Sequence, residues 1–213
     1  MVLIALNVAV FIVGAIASKG TSLSSSRDSF SDRFVVALPY IADGQYWRLI
    51  TSGFLHFGVL HIAMNMFALF QLGRALEGGL GRSRFVGVYF ASLLAGSAGV
   101  IVVQRISGPS GYSATAGASG AIFGLLGCLA LGMRARGISI MKSGLGITLL
   151  INLAITVGIP GVSLGGHLGG FIGGMICGAV LLSARPIVSK KLTQLTPLLV
   201  GVASIVIAIA AAR

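Results

Sequence analysis

The sequence predicts an all-α fold, a polytopic bundle of membrane helices, and three observations lead there. Of the 213 residues, 56% are apolar and only 9% charged, against roughly 45–50% and 25% in soluble domains. The mean hydropathy is +1.02. The apolar residues are gathered into runs, several of them near the roughly 20 residues that cross a hydrocarbon core. Inside lipid every backbone polar group has to be satisfied within the chain, and runs of this length do so as helices.

Seven runs are read as spans, at about 1–17, 54–73, 85–104, 119–133, 143–158, 164–183 and 195–212, making a single domain over 1–213 with no internal repeat. The first lacks a basic leading segment and a small-residue cleavage site, so it is taken as a helix and not as a signal peptide. The stretch 18–51 between the first two spans is the longest loop, Ser-rich and then mixed apolar (Phe34, Val35, Val36, Leu38, Tyr40, Trp47), a composition suited to the membrane interface. The fourth span is short. Gly117-Ala118-Ser119-Gly120 opens it and Arg134 closes it, so at 1.5 Å per residue it reaches only about 22 Å of a core near 30 Å. Its N-terminus is therefore expected below the outer membrane surface, and the loop Ser107 to Ala116 before it has to dip inward. Irregular backbone at that depth needs a protein cover or a water-filled hollow.

The net charge of +11 is distributed between the spans. One set of alternate loops carries Arg74, Arg82, Arg84, Arg134, Arg136, Lys142, Arg185, Lys190 and Lys191, nine bases, with one acid, Glu77. The other set carries six (Lys19, Arg27, Arg33, Arg48, Arg105, Arg213) with three acids (Asp28, Asp32, Asp43). Basic residues concentrate on the cytoplasmic side, which predicts an N-in, C-out chain and makes nucleic acid an unsuitable partner for this charge. The lipid bilayer is the expected partner. Cys128 and Cys177 both lie within apolar runs, where a free thiol acts as a small hydrophobe.

Polar groups inside a span are costly, and each is a candidate for function. His61 and Asn65, near the outer end of the second span, are separated by one helical turn and share a face. Ser119 starts the fourth span and His167 lies near the outer end of the sixth. The second, fourth and sixth spans run the same way, so these groups are expected to converge. Two stripes of small residues favour that approach: Gly120, Gly124 and Cys128 on the fourth span, and Gly166, Gly170, Gly174 and Gly178 on the sixth. His56 is more simply read as ordering the outer loop, and Asn152 as an interhelical hydrogen bond.

These residue types specify a chemistry. A serine hydroxyl becomes a useful nucleophile when a base takes its proton, and imidazole does this near neutral pH. Ser119 is thus the expected nucleophile on a peptide carbonyl, with His167 as its base. A helix N-terminus aims unpaired N–H groups at a developing oxyanion, to which His61 and Asn65 can add donors. No carboxylate falls within a span apart from Glu77 at a cytoplasmic edge, which predicts a dyad. HExxH and a pair of intramembrane aspartates are both missing, and no cofactor or metal is expected.

An ordered set of motifs now stands out: Tyr46-Trp47-Arg48, the run from His56 to Asn65 (HFGVLHIAMN), the ALEGGLG stretch around Glu77, Gly117 to Gly120 (GASG), and Gly165 to Gly174 (GGHLGGFIGG). In this the chain resembles the rhomboid family of intramembrane serine proteases. The resemblance implies a six-helix core with a seventh span after it, Ser119 as nucleophile, His167 as base, and His61 and Asn65 as oxyanion donors. It marks Gly117, Gly120, Phe123 and Gly170 as supporting positions, and Trp47-Arg48 and Glu77 as structural ones. Many relatives carry Tyr where this chain has Phe123, a change that keeps a ring to stack on His167 and loses the phenol hydroxyl. The implied partners are membrane proteins with a transmembrane segment to be cut. The alternative is a catalytically silent rhomboid-like binder of membrane helices, against which the possession of both Ser119 and His167 argues; a transporter lacks its charged pathway and broken helices. Without an organellar presequence or soluble appendage in the sequence, the expected location is a bacterial plasma membrane.

Overall fold

The structure is a computed structural model that describes residues 1–20, 28–142, 144–158, 161–183 and 188–213. Arg27, Arg185, the Ser-rich start of the outer loop and Ser143 at the head of the fifth run fall outside the described residues. Nine α-helices occur among the described residues: α1 (Val2–Ala17), α2 (Leu38–Ala42), α3 (Arg48–Thr51), α4 (Val59–Leu80), α5 (Arg82–Ser107), α6 (Ser119–Ala135), α7 (Gly144–Gly158), α8 (Leu164–Leu181) and α9 (Lys190–Ala212). Among those residues the only β pairing is a single antiparallel bridge between Val36 and Thr115.

Four helices, α4, α5, α8 and α9, are long and apolar enough to cross a membrane. Helices α1, α6 and α7 are apolar but shorter. At 17 residues, α6 is about 25 Å long, less than a hydrocarbon core of about 30 Å. The second run needs a correction of register. Its helix spans 59–80 and not 54–73, because Gly58 sits at φ +88° and Gly81 at φ +78°, conformations that open to glycine and break a helix on either side. His56 consequently lies in the connection before α4, which follows a 3-10 turn at Ser52–Phe54.

Helix α5 forms the centre of the bundle, with Val88, Tyr89, Ser92 and Ile101 wholly inaccessible. It faces α8 through backbone on backbone: a Cβ added at Gly99 would strike the carbonyl oxygen of Gly165, and one at Gly169 that of Ala95. The other side of α8 meets α6 in the same manner. Added Cβ atoms at Gly170 and Gly174 would strike the carbonyl oxygens of Gly120 and Gly124, and one at Gly178 would come within 2.7 Å of that of Cys128. The glycine stripes thus let three main chains touch where side chains would hold them apart by several ångströms. The pairing order also fixes direction. Residue numbers rise together along α6 and α8, which run parallel, and oppositely along α5 and α8, which run antiparallel.

The outer loop differs from a layer lying at the interface. Val35, Val36, Leu38 and Ile41 are buried, and Val36, Leu38 and Ile41 share an apolar cluster with Ile101 of α5 and Ala208 and Ala212 of α9. Trp47 and Tyr46 remain exposed, consistent with aromatic rings at a membrane surface. Arg48 holds this loop together from within. Its Nε donates to Gln45 Oε1 at 2.7 Å and its Nη1 to the carbonyls of Asp32 at 2.7 Å and Val35 at 2.9 Å, with the Tyr40 ring centroid 4.0 Å away. Burial draws the Arg48 pKa below its usual value, with Tyr40 and Asp32 opposing that shift. Glu77 pairs with Arg82 across the α4–α5 turn at 3.3 Å on the protein surface.

Candidate active site

The backbone leading into α6 is tied to its neighbours at four residues, Ser113, Thr115, Gly117 and Ala118. Gln104, buried on α5, accepts from Leu38 N–H at 2.7 Å and donates to Ser113 O at 2.6 Å. Val36 and Thr115 exchange N–H···O bonds of 3.0 and 2.8 Å, and Gly117 N–H donates to Ser52 O at 2.9 Å. The irregular segment before α6 is only partly covered, with Ser107, Pro109, Ser110 and Ser113 exposed and Ala118 its first buried residue, and it is tied at Ser113, Thr115 and Gly117 to α5, the outer loop and the turn before α4. His56, buried at 4% exposure, belongs to the same scaffold, since its Nε2 accepts from Ala118 N–H at 3.4 Å. That contact adjoins Ser119, so His56 orders the loop that carries the serine as well as its own.

Ser119 is the first residue of α6 and His167 lies in the first turn of α8. Because α6 and α8 run parallel in close contact, their N-terminal ends lie side by side. Both residues line one cavity of about 30 Å³, with Ser52, Ser97, Thr115 and Ser163 among its polar neighbours. That volume holds one or two waters. Gly117, Gly120 and Gly166 contribute to the wall. The N–H groups of Ser119, Gly120 and Ala121 have no partner among the described residues, and Ile122 is the first to bond back, to Ala118 O. This is the donor-rich end of a helix, with its positive dipole end in the cavity wall. No hydrogen bond joins Ser119 to His167 among the described residues.

The His61 ring sits over Gly117. A Cβ there would come within 2.9 Å of His61 Nε2 and within 3.7 Å of Ser119 Oγ, so both groups surround the same point, and Gly117 itself is at φ +129°. Glycine is required at this position on both counts. His61 Nδ1 accepts from Phe57 N–H at 3.3 Å, which leaves the proton on Nε2, the nitrogen nearer Gly117. Asn65, one turn further along α4, is buried but is not among the residues lining the cavity. Phe123, one turn after Ser119, stacks on His167 with centroids 3.9 Å apart and planes at 14°. Gly170 is the point where the α8 backbone rests on that of Gly120.

One residue at the site escaped the sequence reading. Thr156, near the end of α7 and buried at 5% exposure, places its Oγ1 2.7 Å from His167 Nδ1. A threonine in an apolar helix is commonplace and carried no motif. The available signal was its spacing of four residues from Asn152, whose carbonyl accepts from the Thr156 hydroxyl at 2.7 Å. The Asn152 side chain itself donates within its own helix, to Thr148 O at 2.8 Å, and among the described residues it bonds to no neighbouring helix.

With this geometry in place, comparison with known proteins gives a consistent result. Residues 43–184 match the rhomboid domain family model. Similar proteins include rhomboid protease GluP of Bacillus subtilis, 38% identical over 129 residues, covering 59% of this chain and 24% of that protein. RHOMBOID-like protein 5 of Arabidopsis thaliana is 39% identical over 89 residues, 42% of this chain and 28% of that protein. Mitochondrial rhomboid protein 1 of Saccharomyces cerevisiae is 39% identical over 80 residues, 38% of this chain and 23% of that protein. The matched stretch spans about a quarter of the length of each of these relatives.

Proposed function

The chain belongs to the rhomboid family, and from that premise we propose that it is an intramembrane serine endopeptidase cutting other membrane proteins in or near a transmembrane segment. As a family member with four helices able to cross a bilayer, it is an integral, multi-pass membrane protein. The observation that carries the proposal is the shared cavity: Ser119 and His167 line it from the ends of two helices locked together by glycine, with His61 beside the same point. In the proposed mechanism Ser119 Oγ attacks the peptide carbonyl as His167 takes its proton, forming a tetrahedral intermediate. The free N–H groups at the start of α6, His61 Nε2–H and the Asn65 amide stabilise its oxyanion. His167 then gives the proton to the leaving amine, and a water activated in the same manner hydrolyses the acyl-enzyme. Phe123 supports the imidazole from its face.

The proposal extends to topology. Seven spans with N-in, C-out orientation place the cavity toward the outer side of a bacterial plasma membrane, and helices α1, α6 and α7 complete the crossing set as one domain over 1–213. A helix weakened by small or helix-breaking residues supplies the extended strand that such a cavity accepts. The test is Ser119→Ala in the full chain reconstituted in liposomes. Replacement should abolish both cleavage of a reporter transmembrane substrate and labelling by a fluorophosphonate. A wild-type chain that takes no label and cuts no reporter while still binding transmembrane helices would point to a silent binder instead.

A further inference from the structure

We propose that Thr156 is a positioning residue that sets the proton arrangement of His167 from a third helix. The inference rests on His167 being the base of the proposed protease. A hydroxyl has one proton, and Thr156 Oγ1 has two close neighbours: Asn152 O at 2.7 Å and His167 Nδ1 at 2.7 Å. A carbonyl oxygen can only accept, so the hydroxyl proton has to lie on the Asn152 side; otherwise two acceptors face each other at 2.7 Å with nothing between them. The lone pairs of Oγ1 then point at Nδ1, which therefore carries its own hydrogen. A neutral imidazole with Nδ1–H has a bare Nε2, and that is the form able to accept a proton from a serine hydroxyl. The alternative tautomer would present Nε2–H to the cavity and could not act as the base.

Three groups thus restrain this ring: the α8 backbone carries it, Phe123 on α6 stacks against its face, and Thr156 on α7 bonds its edge. The stacking contact limits ring tilt but is indifferent to which nitrogen is protonated. Only the Thr156 contact distinguishes the two tautomers. The chain therefore assigns to a neutral hydroxyl the orienting task that a carboxylate performs in a Ser-His-Asp triad, in an environment where an ionised carboxylate would be costly.

The experiment combines two readouts on the full chain in detergent micelles. In protein labelled with 15N-histidine, NMR of the ring nitrogens, assigned by replacing each histidine in turn, should show His167 protonated at Nδ1 and bare at Nε2. Thr156→Val, which keeps the shape and removes the hydroxyl, should shift the population toward Nε2–H, and Thr156→Ser should restore it. This readout is independent of activity, so it stands or falls separately from the protease reading, which the Ser119→Ala comparison tests. In the cleavage assay Thr156→Val should lower kcat about 10-fold or more with KM within about twofold, while Thr156→Ser stays near wild type. Wild-type His167 protonated at Nε2, or Thr156→Val with an unchanged tautomer, overturns the proposal, as does a Thr156→Ser as impaired as Thr156→Val. If Thr156→Val and Thr156→Ala both fail to fold, the hydroxyl serves to anchor α7 and the proposal is likewise overturned.

Discussion

Replacing Gly170 by alanine isolates the contact that sets the spacing of α6 and α8. The added methyl would strike Gly120 O and lie 2.7 Å from Gly120 C and 3.1 Å from its Cα. Carbon atoms pack at about 3.5–4.0 Å, so the helices have to part by roughly 1 Å to admit it. The obstacle is backbone, which has no rotamer to change. Overpacking of this kind costs about 1–3 kcal/mol, offset in part by the better helix propensity of alanine, about 1 kcal/mol. The functional effect should exceed the effect on stability, because Ser119 and His167 ride on these two helices just above the contact. A displacement near 1 Å can cost on the order of 100-fold in rate. Gly170→Ala should therefore lower kcat for a reporter transmembrane substrate about 100-fold, while the thermal unfolding midpoint in detergent falls by a few degrees. Gly79→Ala, where an added Cβ meets nothing within 4 Å, supplies the control and should leave both unchanged. A Gly170→Ala chain that cleaves at the wild-type rate and unfolds no earlier than Gly79→Ala would refute the argument that backbone contact holds the dyad in place.

Two further substitutions probe neighbouring supports. Phe123→Ala removes the ring stacked at 3.9 Å on His167 and should reduce kcat about 2- to 10-fold, the equivalent of one aromatic contact of about 0.5–1.5 kcal/mol; Phe123→Tyr should keep full activity, and equal rates for Phe123→Ala and wild type would dismiss the role. Arg48→Lys retains the charge but cannot reproduce the fork that reaches Gln45, Asp32 and Val35 at once. It should destabilise the protein by about 2 kcal/mol in denaturant titration, and a midpoint identical to wild type would show that the guanidinium is not what binds the outer loop.

The helices were legible because their signal is composition: a run of apolar residues in lipid has almost no choice but to form one. The ends of those helices were less so. The apolar stretch from Phe54 onward reads as continuous with α4, yet the chain turns at Gly58, whose positive φ is a property of the folded backbone and not of hydropathy. The glycine stripes were visible as spacing, and that of α8 meets α6, but the second glycine face of α8, Gly165 and Gly169 against α5, was not singled out because nothing in the spacing tells which neighbour a glycine will face. Burial of Val35, Val36 and Leu38 was also hidden, since an apolar loop residue looks the same whether it faces lipid or another helix. Thr156 lay furthest out of reach. Its meaning comes from a single contact across two helices, and threonine is too ordinary in such a helix for its identity to stand out.

The seam between α6 and α8 has a mechanical consequence. With main chain resting on main chain at Gly120 and Gly170, Gly124 and Gly174, and Cys128 and Gly178, the two helices have no cushion of side chains at these three contacts. A bilayer that thickens, thins or stretches will tilt the outlying helices first, while this pair moves as one rod. The spacing of the helix ends that carry Ser119 and His167 is thereby set by the seam, while the Thr156 contact from α7 is the support of the imidazole that such a tilt would reach.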